Sequence, residues 1–492
     1  MAVKFPDPTP RLEEIYSRVE HVVVAFSAAG RRLYLVGGSV RDAVLGRHAA
    51  TAPLPEGDVQ PQQPDFDFTT DALPEEVERI VSPHAEAMWL VGKRYGTVSA
   101  RVAGVTLEIT THRGDTYREE SRKPEVIMGT SLQEDLVRRD FRINAMAVEF
   151  TSGRPFAIID PFSGMSDLAE SMIRTPGAPE ASFSDDPLRM MRAARFAAQL
   201  GFGIDPAVLE AMAAMATRLE IVSRERIRDE LDKIMLAPQP SRGLRVLVDT
   251  GLAAQFLPEL PALALEQDPI HRHKDVLEHT YSVVDKTSPN LELRLAALFH
   301  DVGKPATRRY DPSGVSFHNH DVVGAKMTKK RMRELRYSTS TVNTVARLVY
   351  LHLRFHTYQA GWTDKAVRRY VVEAGPLLDP LNELTLADCT TRNQKKVRIL
   401  EDRMTELKER IVELREREEF EAIRPELDGT EVMEILGLSP SPEVGVAMKF
   451  LLQLRLDEGP IGHDEVKHRL LEFWAEHKAA SSSEAPSEPA GS

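Results

Sequence analysis

The sequence predicts an α+β chain, with a mixed sheet confined to its N-terminal part and all-α regions after it. Three observations predict this. Short apolar or alternating runs closed by turn residues fall before Asp185. From about Asp185 onward apolar residues recur at helical spacing, and strand signals nearly vanish. The chain has 492 residues, whereas single cores stop growing near ~250–300 residues, so several structural units must follow one another.

Composition narrows the function classes. Apolar residues are 42% and charged residues 28%, ordinary for a globular chain, which excludes a wholly disordered one. Aromatics are 6%, so the cores must be mostly aliphatic. No uninterrupted apolar run reaches about eighteen residues, which argues against a membrane-spanning helix. Met1 to Arg11 carries three prolines and no apolar core of a secretory signal. The single cysteine, Cys389, cannot form an internal disulfide and fits a reducing, cytoplasmic setting. A net charge of −12 speaks against a whole-surface nucleic-acid binder and leaves only local basic tracks.

The elements follow in order. Leu12, Ile15, Val19, Val22 and Val23 predict a helix over Arg11 to Phe26. Leu33-Tyr34-Leu35-Val36, stopped by Gly37-Gly38, reads as a buried strand ending in a tight turn, with a helix beginning at about Arg41. Arg47 to Pro64 lacks periodicity and reads as a loop. Asp65-Phe66-Asp67-Phe68-Thr69 alternates with strand period, and Val105, Leu107 and Ile109 form the apolar face of a further strand. Far downstream, Val397, Leu400, Met404, Leu407, Ile411 and Leu414 predict one long amphipathic helix. Its seam suits packing within its own domain, or a homodimer through 397–414. A last helical piece runs to about His477, and Ala479 to Ser492 is Ser/Ala/Pro/Glu-rich and expected to be disordered.

Two constellations carry chemistry. Asp65 and Asp67 stand two apart in a strand, so both carboxylates point to one face. Their mutual repulsion is relieved by a divalent cation, and hard oxygen ligands suit Mg²⁺. Glu108, on the polar face of the later strand, is a third candidate. The glycines Gly37 and Gly38 let backbone N–H groups approach an anion, and Arg41 can reach a phosphate oxygen. A bare pair of aspartates is more often solvated, and Gly-Gly is more often a plain turn. Their order along the chain is what gives them weight.

That order resembles the head of the class II nucleotidyltransferases, the tRNA CCA-adding enzymes and bacterial poly(A) polymerases. The resemblance runs through Leu35-Val36-Gly37-Gly38-Ser39-Val40-Arg41-Asp42, then Asp65-Phe66-Asp67. It continues in Asp135 to Met146, in Asp185-Asp186-Pro187-Leu188-Arg189 with Met190 to Phe196, and in Arg224 to Leu231. Asp185 departs from the family, which usually has Glu there, and the 47–64 loop is longer than usual. The resemblance implies a polymerase-beta-like head (1–165), a helical neck with a base-reading motif (166–265), and an HD domain (266–395). A long helix with a tRNA-binding tail (396–478) and a disordered end (479–492) would complete the chain. It implies template-independent addition of CCA to tRNA 3′ ends from CTP and ATP by a two-metal mechanism. Asp65, Asp67 and Glu108 would be catalytic, the two aspartates as Mg²⁺ ligands. Gly37, Gly38, Arg41, Arg139, Asp140, Asp186, Arg189, Arg192 and Arg195 would bind the nucleotide. Asp186 and Arg189, three apart on an expected helix, would mimic a Watson–Crick edge for cytosine or adenine. A poly(A) polymerase or A-only enzyme is the nearest rival, and a phosphohydrolase with a nucleotide-binding head the next.

The second constellation is histidine-rich: eight of fifteen histidines lie between His271 and His356. Phe299-His300-Asp301-Val302-Gly303-Lys304-Pro305 ends an apolar helix and resembles the HD metal-dependent phosphohydrolases. That resemblance implies His279, His300, Asp301 and Asp388 as ligands of Mn, Ni, Fe or Mg. His320 with His352 or His356 would serve a second metal, with activity on 2′-phosphorylated or cyclic termini. Local RNA contact is expected from Lys326, Lys329, Lys330, Arg331, Arg333 and Arg336, and from Arg392, Lys395, Lys396 and Arg398. Glu431 to Leu436, closed by Gly437, is expected as a short tail helix.

Overall fold

A computed structural model describes residues 5–47, 65–116, 125–128, 131–151, 156–265, 275–311, 314–357, 362–390, 393–418 and 424–483. The loop expected at 47–64 lies, beyond Arg47, outside them, as do His271, His273, Arg392 and 484–492. The chain divides into two compact units, Met1–Leu295 with Lys330–Thr339, and Ala296–Lys329 with Ser340–Ser492. The first boundary therefore falls inside the region expected to begin at 266.

In the first unit the order is α1 (Thr9–Ala28), β1 (Leu33–Val36), α2 (Gly38–Val44), β2 (Asp65–Thr70), α3 (Pro74–Val81), β3 (Ala87–Trp89), β4 (Thr97–Val102) and β5 (Val105–Thr111). A ribbon of β6 (Arg113–Thr116) and β7 (Glu125–Met128) precedes α4 (Leu132–Val137), β8 (Ala147–Phe150), β9 (Ile158–Ile159) and α5 (Gly164–Glu170). The main sheet has seven strands in the order β3-β4-β5-β2-β1-β8-β9. β1 is antiparallel to both neighbours, and β2 is parallel to β5, so the sheet is mixed as expected. One face is apolar. Phe68 meets Phe150 edge-on at 5.8 Å, and Tyr16 of α1 meets Phe150 at 5.6 Å. Alternation along β2 then leaves Asp65 and Asp67 on the other face.

Helices take over as expected: after β10 (Met172–Ile173) come α6 (Pro179–Asp185), α7 (Leu188–Leu200), the short β11 (Gly203–Ile204), α8 (Pro206–Met215), α9 (Arg224–Met235), α10 (Pro240–Asp249), α11 (Ala253–Phe256) and α12 (Val276–Lys286). α7 packs on α9 and α10, where Gly243 comes so close that a Cβ would sit 2.9 Å from the Ala194 carbonyl oxygen. That packing fixes the face of α7 that carries Arg189, Arg192 and Arg195.

The unit boundary passes through α13 (Leu291–Phe299). The second unit continues with α14 (Lys304–Thr307), the hairpin β12 (Arg309–Asp311) and β13 (Gly314–Ser316), α15 (His320–Glu334) as far as Lys329, α16 (Thr339–Leu351) from Ser340, α17 (Asp364–Ala374) and α18 (Leu378–Asp388). α19 (Gln394–Glu418) is the long helix expected, and it packs on α17 and α18. Leu400, Met404, Leu407, Ile411 and Leu414 are buried. Its apolar seam thus packs inside the unit, the first of the two readings of this helix. α20 (Gly429–Leu436), α21 (Pro442–Glu458) and α22 (His463–Ser483) enclose a separate small core around Leu451, Leu470 and Trp474. Asp428 caps α20 in a capping box with Glu431, and Gly437 closes it at φ +66°. α22 runs to Ser483, past the His477 end expected. Among the described residues no helix is long and apolar enough to cross a membrane.

Candidate active site

β2 and β5 bring three carboxylates to one face. Their register pairs Asp67 with Glu108 and Asp65 with Thr106. The alternate residues Phe66, Phe68, Leu107 and Ile109 are buried behind them. Burial pushes the Asp67 carboxyl up, Asp65 adds to this, and Arg139 opposes it. Burial also pushes Glu108 up, helped by Asp67 and then Asp65. Three carboxylates on one face, two of them burdened by burial and by their acidic neighbours, are a donor set for a hard divalent cation, so the residues present fit Mg²⁺.

Gly37 stands between the carboxylates and the basic wall. Its φ of +75° disfavours a side chain, and a Cβ there would lie 3.2 Å from Arg139 Nη1 and 3.5 Å from Asp67 Oδ2. Bare backbone therefore leaves room for both side chains beside Gly37. The following helix starts at Gly38, earlier than expected, so Arg41 is inside it. The Arg41 guanidinium is bidentate on Asp42 (2.8 and 3.0 Å), donates to Asn144 Oδ1 at 2.8 Å and lies 5.2 Å over the Phe196 ring. Arg41 thus lines the cavity as an oriented cation whose donors are largely engaged.

A cavity of about 490 Å³ opens there, lined by seven arginines (41, 138, 139, 189, 192, 195 and 226) and three aspartates (67, 140 and 186). Seven guanidinium groups against three carboxylates give it a net positive wall in an acidic chain. Asp140 is buried. Its Oδ1 accepts from the Phe141 amide (2.8 Å) and Asn144 (3.0 Å), and its Oδ2 accepts from Arg192 Nε at 2.7 Å. Burial works against this charge, but Arg192 and Asn144 outweigh it and hold the pKa down. Asp140 therefore orients Arg192. Arg195 lies 2.9 Å from Glu230, and burial pushes its pKa to about 10 against the pull of Glu230, leaving it charged at neutral pH.

Asp186 and Arg189 line the same cavity, but not as residues of one helix. Asp186 is in the turn between α6 and α7, where its Oδ1 accepts from the Leu188 amide at 3.1 Å. Pro187 explains this, because the residue before a proline avoids helical geometry. Arg189 donates to Ser182 Oγ at 2.8 Å and to the Arg138 carbonyl. Sequence reasoning missed Arg226, which donates to Asp186 Oδ2 at 2.8 Å, and Asn144, which links Arg41 to Asp140. Both sit inside stretches that carried the resemblance, yet nothing in spacing names their partners. A second cavity of about 280 Å³ adjoins the first. It shares Asp67, Arg138, Arg139 and Arg189 with it and adds Glu108 and Arg113.

The second unit holds a buried histidine cluster. His300, His320 and His352 each place Nδ1 on a backbone carbonyl, at 2.7, 2.8 and 2.6 Å. A carbonyl only accepts, so each Nδ1 carries the hydrogen and each neutral ring presents a lone pair at Nε2. His320 and His352 Nε2 stand 3.2 Å apart, and His320 Nε2 is 3.5 Å from Asp301 Oδ1. His300 Nε2 is 3.2 Å from Asp301 Oδ2 and 3.6 Å from Asp388 Oδ1. Converging lone pairs and carboxylates, oriented by carbonyls behind them, fit a transition-metal site. Burial, then His300, pushes His352 down to about 4, which keeps it a neutral donor. His356 and Asp388 line an adjoining cavity. The expected ligand His279 is carried by α12 in the first unit. The basic track expected at 326–336 is divided, since Lys330 to Arg336 belong to the first unit, where Glu259 grips Arg331 at 2.8 Å.

Three family models match the chain: the poly A polymerase head domain over 33–174, the probable RNA and SrmB- binding site of polymerase A over 201–263, and the HD domain over 276–412. A CC-adding tRNA nucleotidyltransferase of Thermus thermophilus is 33% identical over 472 residues, 92% of this chain and 96% of that one. The chain belongs to the tRNA nucleotidyltransferases. An A-adding tRNA nucleotidyltransferase of Deinococcus radiodurans is 34% identical over 400 residues, 78% of this chain and 89% of the relative. The CCA-adding enzyme of Bacillus stearothermophilus, solved with CTP, superposes with a TM-score of 0.67 at 24% identity. It covers 94% of this chain and 99% of its own, and supports the shared fold. This tRNA nucleotidyltransferase therefore joins a polymerase head to an HD region, as its sequence led us to expect.

Proposed function

We propose that this tRNA nucleotidyltransferase adds C, C and A to tRNA 3′ ends from CTP and ATP, without a nucleic-acid template. The observation that carries this reading is the position of Asp67 on the wall shared by two cavities. The larger, arginine-lined cavity takes the nucleoside triphosphate, and the smaller takes the RNA end. The 3′ oxygen bonds to the α-phosphorus, the bond to the pyrophosphate oxygen breaks, and the hydroxyl proton is lost to solvent. Asp65, Asp67 and Glu108 hold Mg²⁺, which supplies hydroxyl acidity and charge neutralisation when bound. Gly37, Gly38, Arg41 and Arg139 hold the triphosphate. Asp140 meets the sugar side through Arg192, and Arg195 extends the cationic wall. Asp186 accepts from the amino group of cytosine or adenine, and Arg189 donates to the ring nitrogen beside it. These substrates are those of the cytoplasm, where we place the protein.

A second reading is favoured by the relatives that cover most of the chain, since both carry partial-addition names, CC and A. One experiment separates the readings. A tRNA lacking its last three nucleotides is given CTP, ATP or both, beside a tRNA already ending in CC. Three ordered additions and a stop support CCA addition. A stop after two C residues, or addition to the CC-ended tRNA alone, supports partial addition. Unlimited A incorporation supports a poly(A) polymerase.

The histidine cluster we read as a metal-dependent phosphohydrolase centre for 2′- or cyclic phosphates. Water adds at phosphorus, the ester P–O bond breaks, and the sugar oxygen leaves with a proton. Phosphate release without nucleotides, surviving Asp65→Ala, tests this, and its loss in Asp65→Ala contradicts two separate centres.

A further inference from the structure

We infer that Lys396 and Arg403 of α19, with the cavity they line, form the seat for the phosphate ester handled at the histidine centre. This rests on the phosphohydrolase reading above. The cavity is about 260 Å³ and is lined by His356, Asp388, Cys389, Lys396, Ile399, Leu400 and Arg403. Asp388 ties it to the centre, because its Oδ1 stands 3.6 Å from His300 Nε2 on the inner side. The cavity is thus an approach to the cluster from solvent, within one compact unit.

Its chemistry selects an anion. Lys396 and Arg403 are seven residues apart on one helix, so they share a face and are offset by ~10 Å along the axis. Ile399 and Leu400 fill that face between them and leave an apolar floor. Arg403 is held 5.2 Å over the Phe355 ring, which fixes the guanidinium at the cavity wall instead of letting it wander. Lys396 is exposed at the mouth. Two cations flanking an apolar floor, with a metal-type donor cluster behind, match a phosphate ester carrying a sugar or base. Fixed guanidinium geometry suits phosphate oxygens, and a mobile ammonium suits capture at the rim. A neutral or cationic ligand would gain nothing from either.

Cys389 supplies a local reporter, since it lines this cavity and is the chain's one cysteine. The test alkylates Cys389 in the full-length chain with iodoacetamide and measures the rate against rising inorganic phosphate, adenosine 2′-monophosphate or adenosine 2′,3′-cyclic monophosphate. Parallel steady-state hydrolysis of the two esters is followed with Mn²⁺ present. The expected result is protection by at least one ester, and by inorganic phosphate only at higher concentration. Lys396→Gln and Arg403→Gln should need about tenfold more ester for half-protection, each variant read against its own unliganded alkylation rate. KM should rise in step while kcat moves less. Arg403→Lys should restore part of the protection, which a purely structural Arg403 would not do. Absence of protection in the wild type, or equal protection in both Gln variants, overturns the inference. Hydrolysis with an unchanged KM in the variants overturns the seat while leaving the phosphohydrolase reading intact. No hydrolysis and no Mn²⁺ uptake by the wild type overturns that reading itself, and the seat with it.

Discussion

Asp67 on β2 and Glu108 on β5 are register partners across a parallel strand pair, and burial together with neighbouring acids raises the pKa of both carboxyls. Two acids held together this way destabilise an empty site and reward a cation.

Asp67→Asn should abolish nucleotide addition, by at least ~10²–10³-fold, the scale seen when one charge-stabilising group is removed from an active site. The measurement is incorporation of labelled CTP into tRNA lacking its terminal nucleotides. Activity within tenfold of the wild type would remove Asp67 from the chemistry.

The same pair sets a pH dependence. A carboxyl whose folded pKa lies above its unfolded value stabilises the fold below the unfolded pKa, and that contribution is lost as pH rises through the folded pKa. Without divalent cations, Asp67 and Glu108 should therefore cost stability progressively above pH ~4. At pH 7 Asp67→Asn should raise the thermal midpoint of the metal-free protein, and Mg²⁺ should raise the wild type more than the variant. Scanning calorimetry with and without Mg²⁺ checks both signs.

Asp186→Ala should relax base choice. Losing one acceptor in a cavity that pairs the base costs ~1–3 kcal/mol against the correct nucleotide, about ten- to a hundredfold in kcat/KM for CTP and ATP. Arg226→Ala should act oppositely, because it frees Asp186 Oδ2 from its 2.8 Å partner. The ratio of CTP to UTP incorporation is the readout, and equal ratios in all three proteins would exclude base reading by Asp186.

In the second unit, Arg368 of α17 grips Glu418 at the end of α19 with two bonds of 2.8 and 2.9 Å, and the pair is 6% and 8% exposed. Gly459, at φ +80°, accommodates this, since a Cβ there would lie 2.6 Å from Arg368 Nη2. Arg368→Met should destabilise the unit by ~3–5 kcal/mol, because it leaves a buried carboxylate unpaired. Adding Glu418→Leu should recover most of that loss in urea unfolding.

Much of this was legible in the sequence because period and punctuation report faces and ends. The Asp-Phe-Asp-Phe alternation placed Asp65 and Asp67 on one face, and the apolar run before His300 placed the histidine at a helix end. The stop at Gly437 was equally plain. What escaped were partners brought together by the fold. Nothing in the spacing of Asp186 and Arg189 shows that Pro187 breaks the helix between them, or that Arg226 reaches Asp186 from α9. The bond from Arg41 to Asn144 escaped too, because it joins residues about a hundred apart in the chain. The α19 seam looked the same whether it met a second chain or, as it does, α17 and α18.

The most direct test is anomalous diffraction from crystals of the full chain grown with Mn²⁺ and CTP. The account predicts a manganese peak bridged by the Asp65 and Asp67 carboxylates, with the CTP phosphates on the Gly37–Arg139 side. Manganese found only among His300, Asp301, His320 and His352, with CTP bound away from β2, would contradict it.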